Sequence, residues 1–228
     1  MQAITRQRAR SAEDKDLRRA HLIAAATRLF ADADFDAVTI ARVAAAAGVA
    51  KGTAYLYFAT KETLFLELVH DELTQWLKAL AGKLQRLRST RPATAVPVAL
   101  ARSLAERPVL RRLLVMLHTV IEPKLDEASA RKFKQFLRDL LTQASQLIAD
   151  KIPGLTPADA ATLVLQTHAL VISITQLANP PPVIARVMAN DASLQSMQID
   201  FEGFLALTLT TLVRGMLSQR VTPAITPA

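Results

Sequence analysis

The chain has 228 residues, is 51% hydrophobic, contains six glycines and carries a formal net charge of +8. That length can bury a substantial core, and helix formers such as Ala, Leu, Arg, Gln and Glu outweigh strand formers, so the expectation is an all-α globular protein. With no cysteine, disulfide and thiolate chemistry are excluded, while the positive excess suits an anionic partner such as nucleic acid.

Residues 1–15 hold Arg6, Arg8 and Arg10 and read as a flexible basic arm, without the apolar run of a signal peptide. A helix is expected from Asp16 to Ala31, with Ile23, Ala26, Leu29 and Phe30 recurring at helical spacing. No glycine follows it, so Asp34 is the candidate for a left-handed closing residue. Thr39 is a suitable N-cap for a short helix "IARVAAAA", and Gly48 ends it. A second short helix, "KGTAYLYF", follows. After Thr60, another N-cap, a long helix runs from Lys61 towards Leu87 with Leu64, Leu68, Leu73, Leu77 and Leu80 inward. Two helices of this length across a glycine turn make a helix-turn-helix, which places a first domain at residues 16–60 and a larger helical domain at 61–228.

Beyond a linker-like "RSTRPATAVP" (Arg88 to Pro97), helices are expected near 98–106, 108–122, 125–150, 157–178 and 197–219, with breaks at "KIPGLTP" and "LANPPPV". Residues 160–188 are nearly uncharged, yet Gln166, His168, Gln176, Asn179 and three consecutive prolines argue for a buried helix rather than a membrane span. The expected protein is soluble and cytoplasmic. Helices that are apolar on nearly all sides need cover on nearly all sides, and a second copy of the chain packed on 157–178 and 197–219 would supply it.

On a helical wheel, Ala54 and Phe58 of "KGTAYLYF" face the core. Gly52, Thr53 and Leu56 lie opposite, flanked by Lys51, Tyr55 and Tyr57. Both tyrosines of the chain are in these eight residues. They either fill gaps between helices or form part of a surface for DNA. On such a surface, Gly52 permits close approach, Leu56 and the Thr53 methyl meet thymine methyls, and the hydroxyls and Lys51 reach base edges or phosphates.

The segment "LIAAATRLFADADFDAVTIARVAAAAGVAKGTAYLYFATKETLF" resembles the DNA-binding domain of the tetracycline-repressor (TetR) family of bacterial regulators. The likeness rests on "AA..LF", "F..VTI..VA..AGV" and "KGT.Y.YF..KE.L" in fixed register. It implies a homodimer that reads a palindromic operator in double-stranded DNA, with a C-terminal domain for dimerisation and a small-molecule effector. It also implies that Lys51, Gly52, Thr53, Tyr55 and Tyr57 meet the major groove and adjoining phosphates, and that Lys61 binds phosphate. Thr39, with the free N–H groups of the helix it opens, is placed to hold a phosphate. Against the family pattern, Ala50 stands where a serine is usual, Ala54 where leucine or isoleucine is usual, and Asp34 where glycine is common.

For the effector, His118 and Glu122 stand i,i+4, beside a leucine face of Leu110, Leu113, Leu114 and Leu117. The pair suits either a surface contact or the polar anchor of a mostly apolar pocket. Trp76, Met116 and His168 read as core or as pocket. Neither a metal nor a cofactor is expected, since the four histidines lack metal-ligand spacing. No phosphate loop or nucleophile motif supports an enzyme. Two rival binding roles remain in view, a dimeric protein that sequesters a small molecule beside an idle helix-turn-helix and a sequence-neutral architectural DNA protein.

Overall fold

The computed structural model describes the backbone of residues 2–219 and the side chains from residue 14 to 219. The described residues form ten α-helices with no strand. α1 (Gln2–Asp32) starts well before Asp16 and carries helical backbone through the expected arm, where neither glycine nor proline interrupts a run of helix formers. The side chains of Arg6, Arg8 and Arg10 lie outside the described residues.

α2 (Ile40–Ala46) and α3 (Lys51–Tyr57) pack on each other, with α1 over α2 and the start of α4 (Lys61–Arg86). Thr39 caps α2 by accepting from Arg42 N–H at 3.2 Å. The turn between the two short helices is a Schellman motif: Gly48 N–H donates to Ala45 O (3.1 Å) and Val49 N–H to Ala44 O (3.0 Å). That geometry puts Gly48 at φ +68°, a region glycine enters without penalty. α3 has no side-chain cap, as Ala50 implies, whereas Thr60 and Thr63 form a reciprocal capping box on α4.

Asp34 does not adopt the left-handed conformation. It is extended (φ −74°, ψ 161°) and precedes a 3-10 turn, Phe35–Ala37. The carbonyls at the end of α1 are met from elsewhere in the chain. The Arg112 guanidinium donates to Phe30 O at 2.7 Å, Ala31 O at 3.2 Å and Ala33 O at 2.8 Å, and lies over the Phe30 ring.

The larger domain contains α5 (Pro92–Ala105), α6 (Pro108–Met116), α7 (Glu127–Ala149), α8 (Pro157–Ala178), α9 (Pro182–Asn190) and α10 (Phe201–Ser218). More than half of the expected linker is therefore helix. Pro92 occupies its first turn, where a missing N–H costs nothing, and Pro97 is buried in the next. The single helix expected over 108–122 is split. After α6 the chain widens into a π turn, Leu117–Ile121, then tightens into a 3-10 turn, Glu122–Lys124. Pro123 has no N–H to extend the ladder and its ring crowds the carbonyl four residues back, which the wider turn relieves.

α9 and a 3-10 turn at Ala192–Met197 occupy a stretch to which the sequence reading assigns no helix. α9 buries no residue and leaves Val183, Ile184 and Val187 exposed. α8 is long and apolar enough by composition to cross a membrane, but it packs against α6, α7 and α10 and buries Leu163, Thr167, Val171 and Ile174.

Candidate nucleic-acid interface and effector cavity

α3 is seven residues long and sits on the core by two side chains, Ala54 (0% exposed) and Phe58 just past its end (3%). Lys51, Gly52, Tyr55 and Leu56 recur one and four residues apart and share the outward face. Leu56 is 85% exposed and Tyr55 45%, an apolar surface with little reason to face water. Lys51 Nζ lies 6.0 Å from the centre of the Tyr55 ring. The two tyrosines differ: Tyr57 is half-buried and packs against the core, and Thr53 is also only partly exposed. Thr39 and Arg42 add exposed polar groups on the first turn of α2. Arg42, absent from the sequence-based set, donates to Ala37 O. The available signal was an arginine three residues after an N-cap.

Lys61 is held inward. Its Nζ sits 3.7 Å from the centre of the Phe35 ring and 3.9 Å from Asp36, and burial lowers its pKa, against the pull of Asp36 and Glu62. The cation at the start of α4 is already engaged by this chain.

A second site lies among α4 to α8. A cavity of about 400 Å³ is walled by leucines of α4, α5, α6 and α7 and closed by Val164, Thr167 and Val171 of α8. Three of the five candidate effector residues line it: Trp76, His118 and His168. Met116 packs against the core instead, and Glu122 stands behind His118. The Trp76 indole N–H is occupied, donating at 3.0 Å to Ser103 Oγ, which in turn donates to Leu100 O.

His118 and His168, fifty positions apart in sequence, meet at the cavity, with their Nε2 atoms 2.9 Å apart. His118 Nδ1 is 3.0 Å from Glu122 Oε2, and Lys134 Nζ donates to Glu122 Oε1 at 2.7 Å. Burial would raise the Glu122 carboxyl, but the hydrogen bonds from Lys134 and His118 hold it below its usual value. The result is a polar chain on a mostly apolar wall, whose lining also includes Arg138. The expected His–Glu pair exists, and packing extends it at one end to His168 and at the other to Lys134. No group of three metal-ligating side chains occurs among the described residues.

These rings make stability depend on pH. Burial lowers the pKa of His168, with the His118 charge acting in the same sense, and burial also lowers that of His70. A folded pKa below the unfolded value of about 6.5 means the unfolded chain binds more protons, so stability falls as pH drops through 6.5. Glu72, raised by burial against the pull of Arg107, acts oppositely, losing stability as pH rises through its folded value. The melting temperature is expected to be lower at pH 5.5 than at pH 7.5, and His168→Gln should flatten that difference. An unchanged profile in the variant would remove His168 from this account.

Comparison with known proteins places both halves of the chain. Residues 70–220 match the model described as "Tetracyclin repressor-like, C-terminal domain", and residues 22–68 match "Bacterial regulatory proteins, tetR family". A TetR transcriptional regulator from Rhodococcus sp. RHA1 is structurally similar (TM-score 0.57, 18% identity), covering 91% of this chain and 98% of that one. The repressor AlkX from a Dietzia strain, implicated in n-alkane biodegradation, covers 88% and 95% (TM-score 0.56, 15% identity). The regulator FadR from Bacillus subtilis, in complex with stearoyl-CoA, covers 87% and 97% (TM-score 0.51, 16% identity). No curated protein matches the chain by the same standard.

Proposed function

The chain belongs to the TetR family of bacterial regulatory proteins, DNA-binding transcriptional regulators, and on that premise we propose a homodimeric repressor that reads a palindromic operator and is released by a mostly apolar small molecule. The observation that carries the DNA-reading half is the outward face of α3. Leu56 and Tyr55 are exposed beside Lys51 and Gly52 on a helix short enough to enter a major groove end-on. Lys51, Thr53, Tyr55 and Leu56 are the base-edge and phosphate contacts in this reading. Gly52 sets the approach distance, Tyr57 braces the helix, and Thr39 with Arg42 lies over the neighbouring phosphates. Lys61 contributes charge from the start of α4 once its contact with Asp36 loosens.

Dimerisation is supported by apolar side chains left outside: Leu165 and Leu177 on α8, Phe204 and Leu207 on α10, and the face of α9. A second copy covering α8 and α10 would remove them from water and set two α3 helices about 34–36 Å apart, one turn of DNA. For the effector, the 400 Å³ cavity with its single polar chain suits a ligand with a long apolar body and one hydrogen-bonding end. The stearoyl-CoA of the Bacillus subtilis neighbour and the n-alkane connection of AlkX belong to the same chemical range.

Selection of binding sites from random duplex DNA at physiological salt tests the reading. Enrichment of a palindrome with two equal half-sites is expected. A folded, dimeric protein that enriches nothing would transfer the function to small-molecule sequestration. Binding that falls steeply with salt but ignores sequence would make it an architectural DNA protein.

A further inference from the structure

A second cleft, of about 440 Å³, opens where the end of α1, the start of α6 and the end of α8 meet, and it shares no lining residue with the apolar cavity. Its wall includes Arg111, Arg112, Thr175 and Asn179. Two buried atoms on these residues, Arg111 Nε and Thr175 Oγ1, make no hydrogen bond among the described residues. Thr175 is only 7% exposed. Groups of this kind are almost always satisfied in native proteins, and a desolvated guanidinium without a counter-charge is costly.

The two neighbouring arginines differ sharply. Arg112 is consumed by the carbonyls of α1 and lies 3.8 Å from Asp34. Arg111 forms no ion pair among the described residues, although Asp32 and Asp34 edge the same cleft. Its guanidinium lies 4.1 Å over the Phe201 ring, and burial lowers its pKa. Asn179 donates to Thr175 O at 2.8 Å, which keeps the Thr175 turn closed beside it.

We propose that this cleft is an oxyanion site, in which a carboxylate or phosphate group is bound by the free guanidinium of Arg111 and by the Thr175 hydroxyl. The planar fork of an arginine fits two oxygens of such a group, and the hydroxyl supplies a third donor. The two aspartates at the rim favour a group of low charge over a highly charged one. Because Arg112 ties the same wall to the end of α1, the occupant sits at the joint between the DNA-reading helices and the larger domain. The site stands independently of the apolar cavity and of operator recognition.

The test is a thermal titration of the full-length protein with sodium phosphate and, separately, sodium acetate, each against sodium chloride at equal ionic strength. A saturable rise in melting temperature is expected in one arm, about 5–10 °C at roughly 100 times the dissociation constant. The responding arm distinguishes a phosphate from a carboxylate ligand. Arg111→Met keeps an apolar stem over Phe201 and removes a buried charge. It should melt no lower than the wild type in chloride and lose the oxyanion response. If Arg111→Met does not fold, Arg111→Lys keeps the charge without the fork and should weaken the response at least about tenfold. A wild-type response equal to that in chloride, or an undiminished oxyanion response in the folded variant, would overturn the site.

Discussion

Gly52→Ala is expected to make the protein slightly more stable and a much poorer reader of its operator. A Cβ at Gly52 meets nothing within 4 Å, and its backbone is ordinary helix. Alanine inside a helix is favoured over glycine by about 0.5–1 kcal/mol, so the melting temperature should rise by roughly 1–4 °C. On DNA the same methyl stands on the outward face between Lys51 and Tyr55, where the proposed reading brings the backbone close to the groove. Loss of one well-made base contact is worth ~1–3 kcal/mol, a fall in specific affinity of about 5-fold to 150-fold. Random DNA, held through phosphates, should be affected much less. Melting curves and operator titrations at one fixed salt concentration measure both effects. Raised stability with undiminished operator affinity would move the closest approach away from Gly52.

Arg112→Ala is expected to have the largest effect on stability of any single surface-reaching side chain. The residue closes three carbonyls at the end of α1 and stacks on the Phe30 ring. A bond from a charged donor is worth about 1.5–3 kcal/mol where buried, and Arg112 is half-exposed, which discounts each. A total of about 2–4 kcal/mol is reasonable and should lower the melting temperature by roughly 4–16 °C. α6 also carries Leu114 of the apolar cavity and leads into His118, so the same arginine connects the cavity end of the helix to the helix-turn-helix domain. A ligand that releases the wild type from DNA should release the variant less. Arg112→Lys, with one donor group in place of a fork, should fall between the two. A variant that melts with the wild type and keeps its ligand response would show that α1 is closed adequately by water.

Much of the reading head was legible because its signals are local. Thr39 and Thr60 cap helices through N–H groups three residues away, and Gly48 closes α2 through bonds that span no more than five residues. Ala54 and Phe58 face inward because a helix puts i and i+4 on one side. The same reasoning placed α8 to within its observed ends, where Thr156 and Asp159 form a capping box.

It failed where a bond joins distant elements or where context overrides punctuation. Pro92 lies in the linker-like stretch Arg88 to Pro97 but begins α5. Asp34 is a local candidate for closing α1, but Arg112 does so from α6. Lys61 carries the charge expected of it, yet its place over Phe35 follows from how a 3-10 turn folds back on α4.

The sequence by itself thus determined the helical class, the helix-turn-helix and the outward face of α3, because periodicity and capping act within a few residues of the chain. Tertiary structure alone decided that His168 would meet His118, that Arg112 would hold α1, and that Arg111 would face a cleft without forming an ion pair there. Those outcomes depend on which helix faces lie against one another, and that is set by the packing of the whole core rather than by any neighbourhood along the sequence.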